Sequence, residues 1–146
     1  MGRRPRRDAN NSVRMILVDT SAWIEFLRDT GSPVCVAVDD LLAADLAICD
    51  AISMEVLAGA RDENHLGQLR GLLARASMVP IVAEDYDQAA ALYRTCRRNG
   101  ETVRKLIDCL IGAVAIRSNM SVLHADADFA TLARHTQLLA HASSVK

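Results

Sequence analysis

The sequence predicts an α/β fold with a short, mainly parallel central sheet flanked by helices. Three observations predict it. Short apolar runs rich in β-branched residues recur along the chain without polar alternation, as strands buried on both faces require. Helical patterns separate these runs, so each crossover carries a helix. The core must also be aliphatic, because aromatic residues are 3% of a chain that is 51% hydrophobic, and Ala and Leu favour helices. A length of 146 residues fits one domain.

The elements follow in order. Met15-Ile16-Leu17-Val18 is the first strand and ends at Asp19. Thr20 or Ser21 can cap a helix whose apolar face is Trp23, Ile24 and Leu27. Gly31-Ser32-Pro33 breaks that helix and starts another, which runs to about Ala44. Leu46 to Ile48 is the second strand, and helices follow over 50–60 and 62–76. Val79 to Val82 is expected as the third strand. Glu84 and Asp85 suit the first turn of a long helix through Arg98, closed by Asn99-Gly100. Leu106 to Arg117 is helical, Val122 to His124 is a strand, and 126–134 is a short helix. Gln137 to Leu139 is expected as a last strand.

Charge and composition exclude several classes. The longest apolar helical pattern, Leu106 to Ile116, contains Asp108 and falls short of a membrane span. No apolar stretch follows the arginines of the first residues, so a secretory signal is not expected. The four cysteines, Cys35, Cys49, Cys96 and Cys109, lack Cys-x-x-Cys spacing and read as buried free thiols in a reducing cytoplasm. A net charge of −1 hides an asymmetry, since residues 1–14 hold five arginines against the single acid Asp8. They read as a basic, disordered extension, with 15–146 as the folded domain. Such an arm could touch nucleic acid, but it has too few apolar residues to order itself.

Acids stand at unusual places. Asp19 ends the first strand, and Asp126 and Asp128 directly follow the strand Val122–His124. In parallel α/β sheets the loops at the carboxyl ends of strands build the site. Glu55 and Asp108 lie inside apolar helical turns, where a carboxylate must meet a cation or a donor. Singly, each has an ordinary explanation. Asp19 and Asp126 could be helix caps, Asp128 a first-turn acid, and Glu55 and Asp108 partners of arginines such as Arg104. Jointly they fit an oxygen-only site for a hard divalent ion, Mg²⁺ or Mn²⁺. No zinc-type His/Cys spacing is present.

Four segments carry a family resemblance: Val18-Asp19-Thr20-Ser21-Ala22-Trp23, Ser53 to Ala60, Ile107 to Ala113, and His124-Ala125-Asp126-Ala127-Asp128-Phe129. In this order and spacing they resemble the PIN-domain ribonucleases, and among them the VapC toxins of bacterial toxin–antitoxin pairs. The resemblance covers about residues 15–140. It implies a PIN-like α/β/α sandwich and carries the catalytic acids to Asp19, Glu55, Asp108 and Asp126. Asp19, Asp108 and Asp126 would hold Mg²⁺ or Mn²⁺, and Asp128 is carried over as a further metal-site acid, more variable in its role. Thr20 or Ser21 matches a hydroxyl near the metal. The implied activity is metal-dependent endonucleolytic cleavage of RNA such as tRNA or rRNA loops. The implied partners are a cognate VapB-type antitoxin and a second copy of the chain.

Arg94, Arg97, Arg98, Arg104 and Lys105 cluster around Asn99-Gly100 and are candidates for phosphate contacts, or else a solvated helix end. Trp23, Phe26 and Leu27 could line an antitoxin groove, though core packing explains them equally. His124 suits packing at a strand end. A phosphatase of the haloacid dehalogenase type would need a second Asp at position 21, where Ser21 stands. A receiver domain would need a strand-end Lys, and neither Lys105 nor Lys146 follows a predicted strand. A non-catalytic PIN-like domain that binds RNA or protein is the remaining alternative.

Overall fold

The computed structural model describes residues 14–146, so the basic arm expected over 1–14 lies outside the described residues except for Arg14. The sheet has four strands: β1 (Ile16–Val18), β2 (Ala47–Cys49), β3 (Ser77–Val79) and β4 (Ser121–Leu123). They lie in the order β3-β2-β1-β4, and every pairing is parallel. The helices are α1 (Thr20–Leu27), α2 (Pro33–Ala43), α3 (Asp50–Ala58), α4 (Glu63–Leu73), α5 (Ala83–Arg98), α6 (Leu106–Arg117) and α7 (Ala127–His135). Leu17, Val18, Ala47, Ile48, Val122 and Leu123 are all buried, which is why their runs do not alternate. The strand order reverses between β1 and β4, and the crevice beyond their carboxyl ends is where such sheets bind ligands.

Two strand assignments differ from the sequence reading. β3 lies at 77–79 instead of Val79–Val82. Ser77 N–H donates to Leu46 O at 2.9 Å, whereas Pro80 has no N–H with which to extend the ladder. Val82 instead stands at the N-cap of α5, its N–H donating to Asp85 Oδ2 at 2.9 Å. Ser77 and Met78 are exposed because β3 is an edge strand, so its apolar signal was weak. The strand expected over Gln137–Leu139 reduces to one parallel bridge between Val122 and Ala140.

The connections that place the site are locally specified. Ser32 caps α2 through Cys35 N–H at 3.1 Å, and Pro33 occupies its first turn. Gly100, at φ +88°, adopts the left-handed turn that frees the chain after α5. Gly112 lies inside α6, where a Cβ would come within 3.3 Å of Leu138 Cδ1. Its bare backbone lets the tail and α7 close on α6.

Asp85 is buried, and Arg117 grips both its oxygens, at 2.8 Å from Nε and 3.0 Å from Nη2. The same guanidinium donates to Pro80 O at 2.7 Å. The Arg117 hydrogen bonds hold the Asp85 carboxyl below its usual range, against the opposing effect of burial. That stability is present above the ordinary carboxylate pKa and is lost as pH falls through the lowered one. Arg117→Ala leaves a buried carboxylate unpaired and is expected to cost about 3 kcal/mol, read by urea unfolding at neutral pH. An unchanged midpoint would show that the pair contributes nothing.

Candidate active site

Asp19 stands where β1 stops. Its N–H donates to Leu123 O at 3.0 Å, which ties the ends of β1 and β4 together. Its Oδ2 accepts the Ser21 N–H at 2.9 Å and the Ser21 hydroxyl at 2.6 Å, capping α1. The Ser21 Oγ in turn accepts the Ala125 N–H at 2.8 Å, so one hydroxyl braces the loops after both strands. Asp19 Oδ1 is buried and has no hydrogen-bond partner among the described residues. Burial pushes the carboxyl up to about 6, against the lowering effect of the Ser21 bonds and with added repulsion from Glu55. Capping thus occupies one oxygen of Asp19 and leaves the other free.

Asp108 sits in the first turn of α6 and is 2% exposed. Its Oδ2 is also buried without a hydrogen bond among the described residues, 3.6 Å from Lys105 Nζ. Burial, then the charge of Asp19, pushes the carboxyl up to about 9. Asp126 caps α7, with Oδ1 accepting Asp128 N–H at 2.9 Å. Lys105 Nζ donates to Asp126 Oδ2 at 2.6 Å. Burial raises the Asp126 pKa, but the Lys105 bond and the Asp128 amide outweigh it, and the net displacement is downward. Asp128 is buried, its two oxygens accepting the N–H groups of Arg104 and Lys105 at 2.9 Å each.

The three acids Asp108, Asp126 and Asp128 each present an oxygen within 4.8 Å of the others. Asp19, Thr20, Ser21, Glu55, Lys105, Asp108 and Asp126 line one cleft of about 410 Å³. Glu55, half-buried on α3, reaches it with Oε1 accepting the Thr20 hydroxyl at 2.7 Å. The residues fit a hard divalent ion. The donors are all oxygen, and two buried carboxylate oxygens accept no hydrogen bond among the described residues.

Among the basic candidates, Arg104 and Lys105 reach the acids. Arg104 Nη2 lies 3.9 Å from Asp126 Oδ1, and its Nε lies 3.7 Å from Asp128 Oδ1. The arginine partner imagined for Asp108 or Glu55 thus meets other acids. Arg94, Arg97 and Arg98 lie on the last turns of α5 and do not line the cleft, with Arg97 over the Tyr93 ring at 5.6 Å. Trp23 is fully buried, its indole N–H donating to Val18 O at 3.1 Å, so it fills core and lines no surface groove. Ile24 and Leu27 remain exposed on α1.

His124 is wholly buried beside Phe129 and accepts the Asp126 N–H on Nδ1 at 3.2 Å. Burial pushes its pKa down to about 4, so the ring is neutral and shapes the Asp126 loop. A second cavity of about 460 Å³ shares Thr20, Ile24 and Glu55 with the acidic cleft. Arg28, Arg61, His65 and Gln68 line it, and the sequence reading singled out none of them for a site. The spacing of His65 and Gln68 on one helix, with Arg61 just ahead, was the available signal.

An all-parallel sheet whose acids converge at the switch point defines the class, and the chain belongs to the PIN domain family. The profile of that family matches residues 16–135. Within it the chain is 48% identical over 130 residues to VapC ribonuclease Mb1587 of Mycobacterium bovis, covering 86% of this chain and 97% of the relative. Ribonuclease VapC11 of Mycobacterium tuberculosis matches to the same extent. Solved structures share the fold. VapBC2 of Rickettsia felis, bound to a promoter DNA fragment, superposes with a TM-score of 0.72 at 15% identity, over 90% of this chain and 99% of that one. VapC20 of Mycobacterium tuberculosis, described as a Sarcin-Ricin loop cleaving toxin, gives 0.59 at 18% identity, over 79% and 92%. No helix among the described residues is long and apolar enough to cross a membrane.

Proposed function

We propose that this chain is a VapC-type toxin, a ribonuclease that cleaves RNA endonucleolytically with Mg²⁺ or Mn²⁺. The observation that carries the proposal is the pair of buried oxygens without a hydrogen bond among the described residues, Asp19 Oδ1 and Asp108 Oδ2, on residues lining one cleft with Asp126. The 48% identity to named VapC ribonucleases supports the reaction class. Asp19, Asp108 and Asp126 would hold the ion. A bound divalent ion lowers the pKa of a water and neutralises charge on the scissile phosphate.

The chain's own residues do the rest. Thr20 fixes one oxygen of Glu55, and the other is left to take a proton from the attacking water. Water oxygen adds to phosphorus, the bond to the 3′ oxygen breaks with its electron pair going to that oxygen, and the oxygen takes a proton from solvent water and leaves as a hydroxyl. The products are a 5′-phosphate and a 3′-hydroxyl. Arg104 and Lys105 hold the flanking phosphates as they now hold Asp126. Asp128 is a positioning residue in this scheme, because its carboxylate pins the amides of both basic residues. Asp128→Ala is expected to lower activity by roughly ten- to hundredfold. Full activity would refute its role.

In this reading the protein works in the cytoplasm as a homodimer and is silenced by a cognate VapB-type antitoxin, for which Ile24 and Leu27 offer exposed apolar contacts on α1. Induced expression followed by sequencing of RNA 5′ ends tests the activity, with Asp19→Asn as the control. Discrete new ends absent from the control support a nuclease. Identical ends in both would overturn it.

A further inference from the structure

Beside the acidic cleft, the second cavity has a different electrostatic character. It runs between α1, α3 and α4, and Thr20 and Glu55 stand on the boundary of the two. Arg28 follows α1 and Arg61 precedes α4, both exposed and neither in an ion pair among the described residues. The guanidinium of Arg104, by contrast, is turned to Asp126 and Asp128.

His65 lines the same cavity and is held by its neighbours in sequence. Its Nδ1 accepts the Arg61 N–H at 3.0 Å, and its own N–H donates to the Asp62 cap at 2.8 Å. In the neutral ring the proton is therefore on Nε2, which is left as a donor. Gln68 adds an amide that can donate and accept. Ile24, Leu27 and Leu69 supply an apolar wall. A volume of about 460 Å³ is within the range of small-molecule sites.

We propose that this groove is a nucleotide subsite, in which Arg28 and Arg61 bind backbone phosphates of the RNA strand on the Glu55 side of the scissile bond, and His65 and Gln68 meet the adjoining base. The inference rests on the nuclease reading. A phosphodiester at the acids must continue as a strand past Thr20 and Glu55, and this groove is the continuation there that carries free positive charge. An acidic peptide would also suit the arginines, and the antitoxin contacts Ile24 and Leu27 lie on the same wall, but Thr20 and Glu55, shared by the two cavities, favour the strand that already occupies the acids.

The test uses the full chain, a fluorescein-labelled single-stranded oligoribonucleotide of mixed sequence, and the double variant Arg28→Ala/Arg61→Ala. Arg70→Ala, exposed on α4 outside the groove, is the control. Both target side chains are at the surface, so the variant keeps its fold. In anisotropy titrations without divalent ion, Kd is expected to rise roughly tenfold. The slope of log K against log salt is expected to become shallower by about 1.4, two contacts on a single strand. In cleavage assays KM rises and kcat stays, while Arg70→Ala changes neither.

Unchanged Kd and slope in the double variant would overturn the subsite even if the protein cuts RNA. Loss of binding to an antitoxin peptide alone, with RNA binding intact, would likewise overturn it and assign the groove to protein. If the parent protein cuts no RNA, the nuclease reading fails, and the anisotropy result still decides the groove.

Discussion

Asp108→Asn is expected to abolish RNA cleavage while the metal-free protein stays folded and, at neutral pH, becomes more stable than the parent. Removing an ion ligand forfeits several kcal/mol of charge stabilisation, so the loss in kcat should reach roughly a thousandfold. The stability argument runs the other way. Burial and the charge of Asp19 push the Asp108 carboxyl up to about 9, far above its unfolded value of 3.8. Between those values the folded chain binds more protons than the unfolded one, so the stability of the parent falls as pH rises. Asn is neutral and nearly the same shape as the protonated acid, and that decline should flatten. Thermal unfolding in chelator across this window measures it, beside cleavage assays with Mg²⁺. A variant that cuts RNA at the parent rate would remove Asp108 from the metal site.

Chelation is the second large effect. Treatment with a chelator is expected to stop cleavage, and adding Mg²⁺ or Mn²⁺ to restore it. Without the ion, the cleft gathers carboxylates that repel RNA. The Lys105 ammonium, 2.6 Å from Asp126 and 3.6 Å from Asp108, neutralises only part of that charge. An ion bound to the folded chain alone adds stability by mass action, about 2.7 kcal/mol at a hundred times Kd. The sign with pH is fixed by the acids. Asp19, raised to about 6, and Asp108, raised to about 9, must lose protons to bind. Affinity therefore rises from acid pH toward pH 9, with proton release on binding. Calorimetric titration in buffers of different ionisation heat reads both. No heat of binding, or no loss of it in Asp19→Asn, would leave the cluster without a metal role.

Much of the fold was legible because burial leaves direct marks. Val18, Ile48 and Leu123 come from strands covered on both faces, and an unbroken apolar run records that. β3 lies at the edge, half open to water, so its residues carried little signal and its place was decided by the missing N–H of Pro80. The acids were legible for the same physical reason. A carboxylate in an apolar helix, as at Asp108, is costly unless something offsets it.

The sequence alone determined the chemistry available: which acids exist, that they end strands or interrupt apolar turns, and that their oxygens suit a hard ion. Tertiary structure decided how each is used. Asp128 lies within ligand distance of Asp108 and Asp126, yet both its oxygens hold amides. The Ser21 hydroxyl, and not that of Thr20, bonds the Asp19 carboxylate, while the Thr20 hydroxyl turns to Glu55. Arg104 and Lys105 reach the acids, whereas Arg94, Arg97 and Arg98 stay on α5. These outcomes depend on orientation across long chain separations, which hydrogen-bond geometry sets and linear spacing does not record.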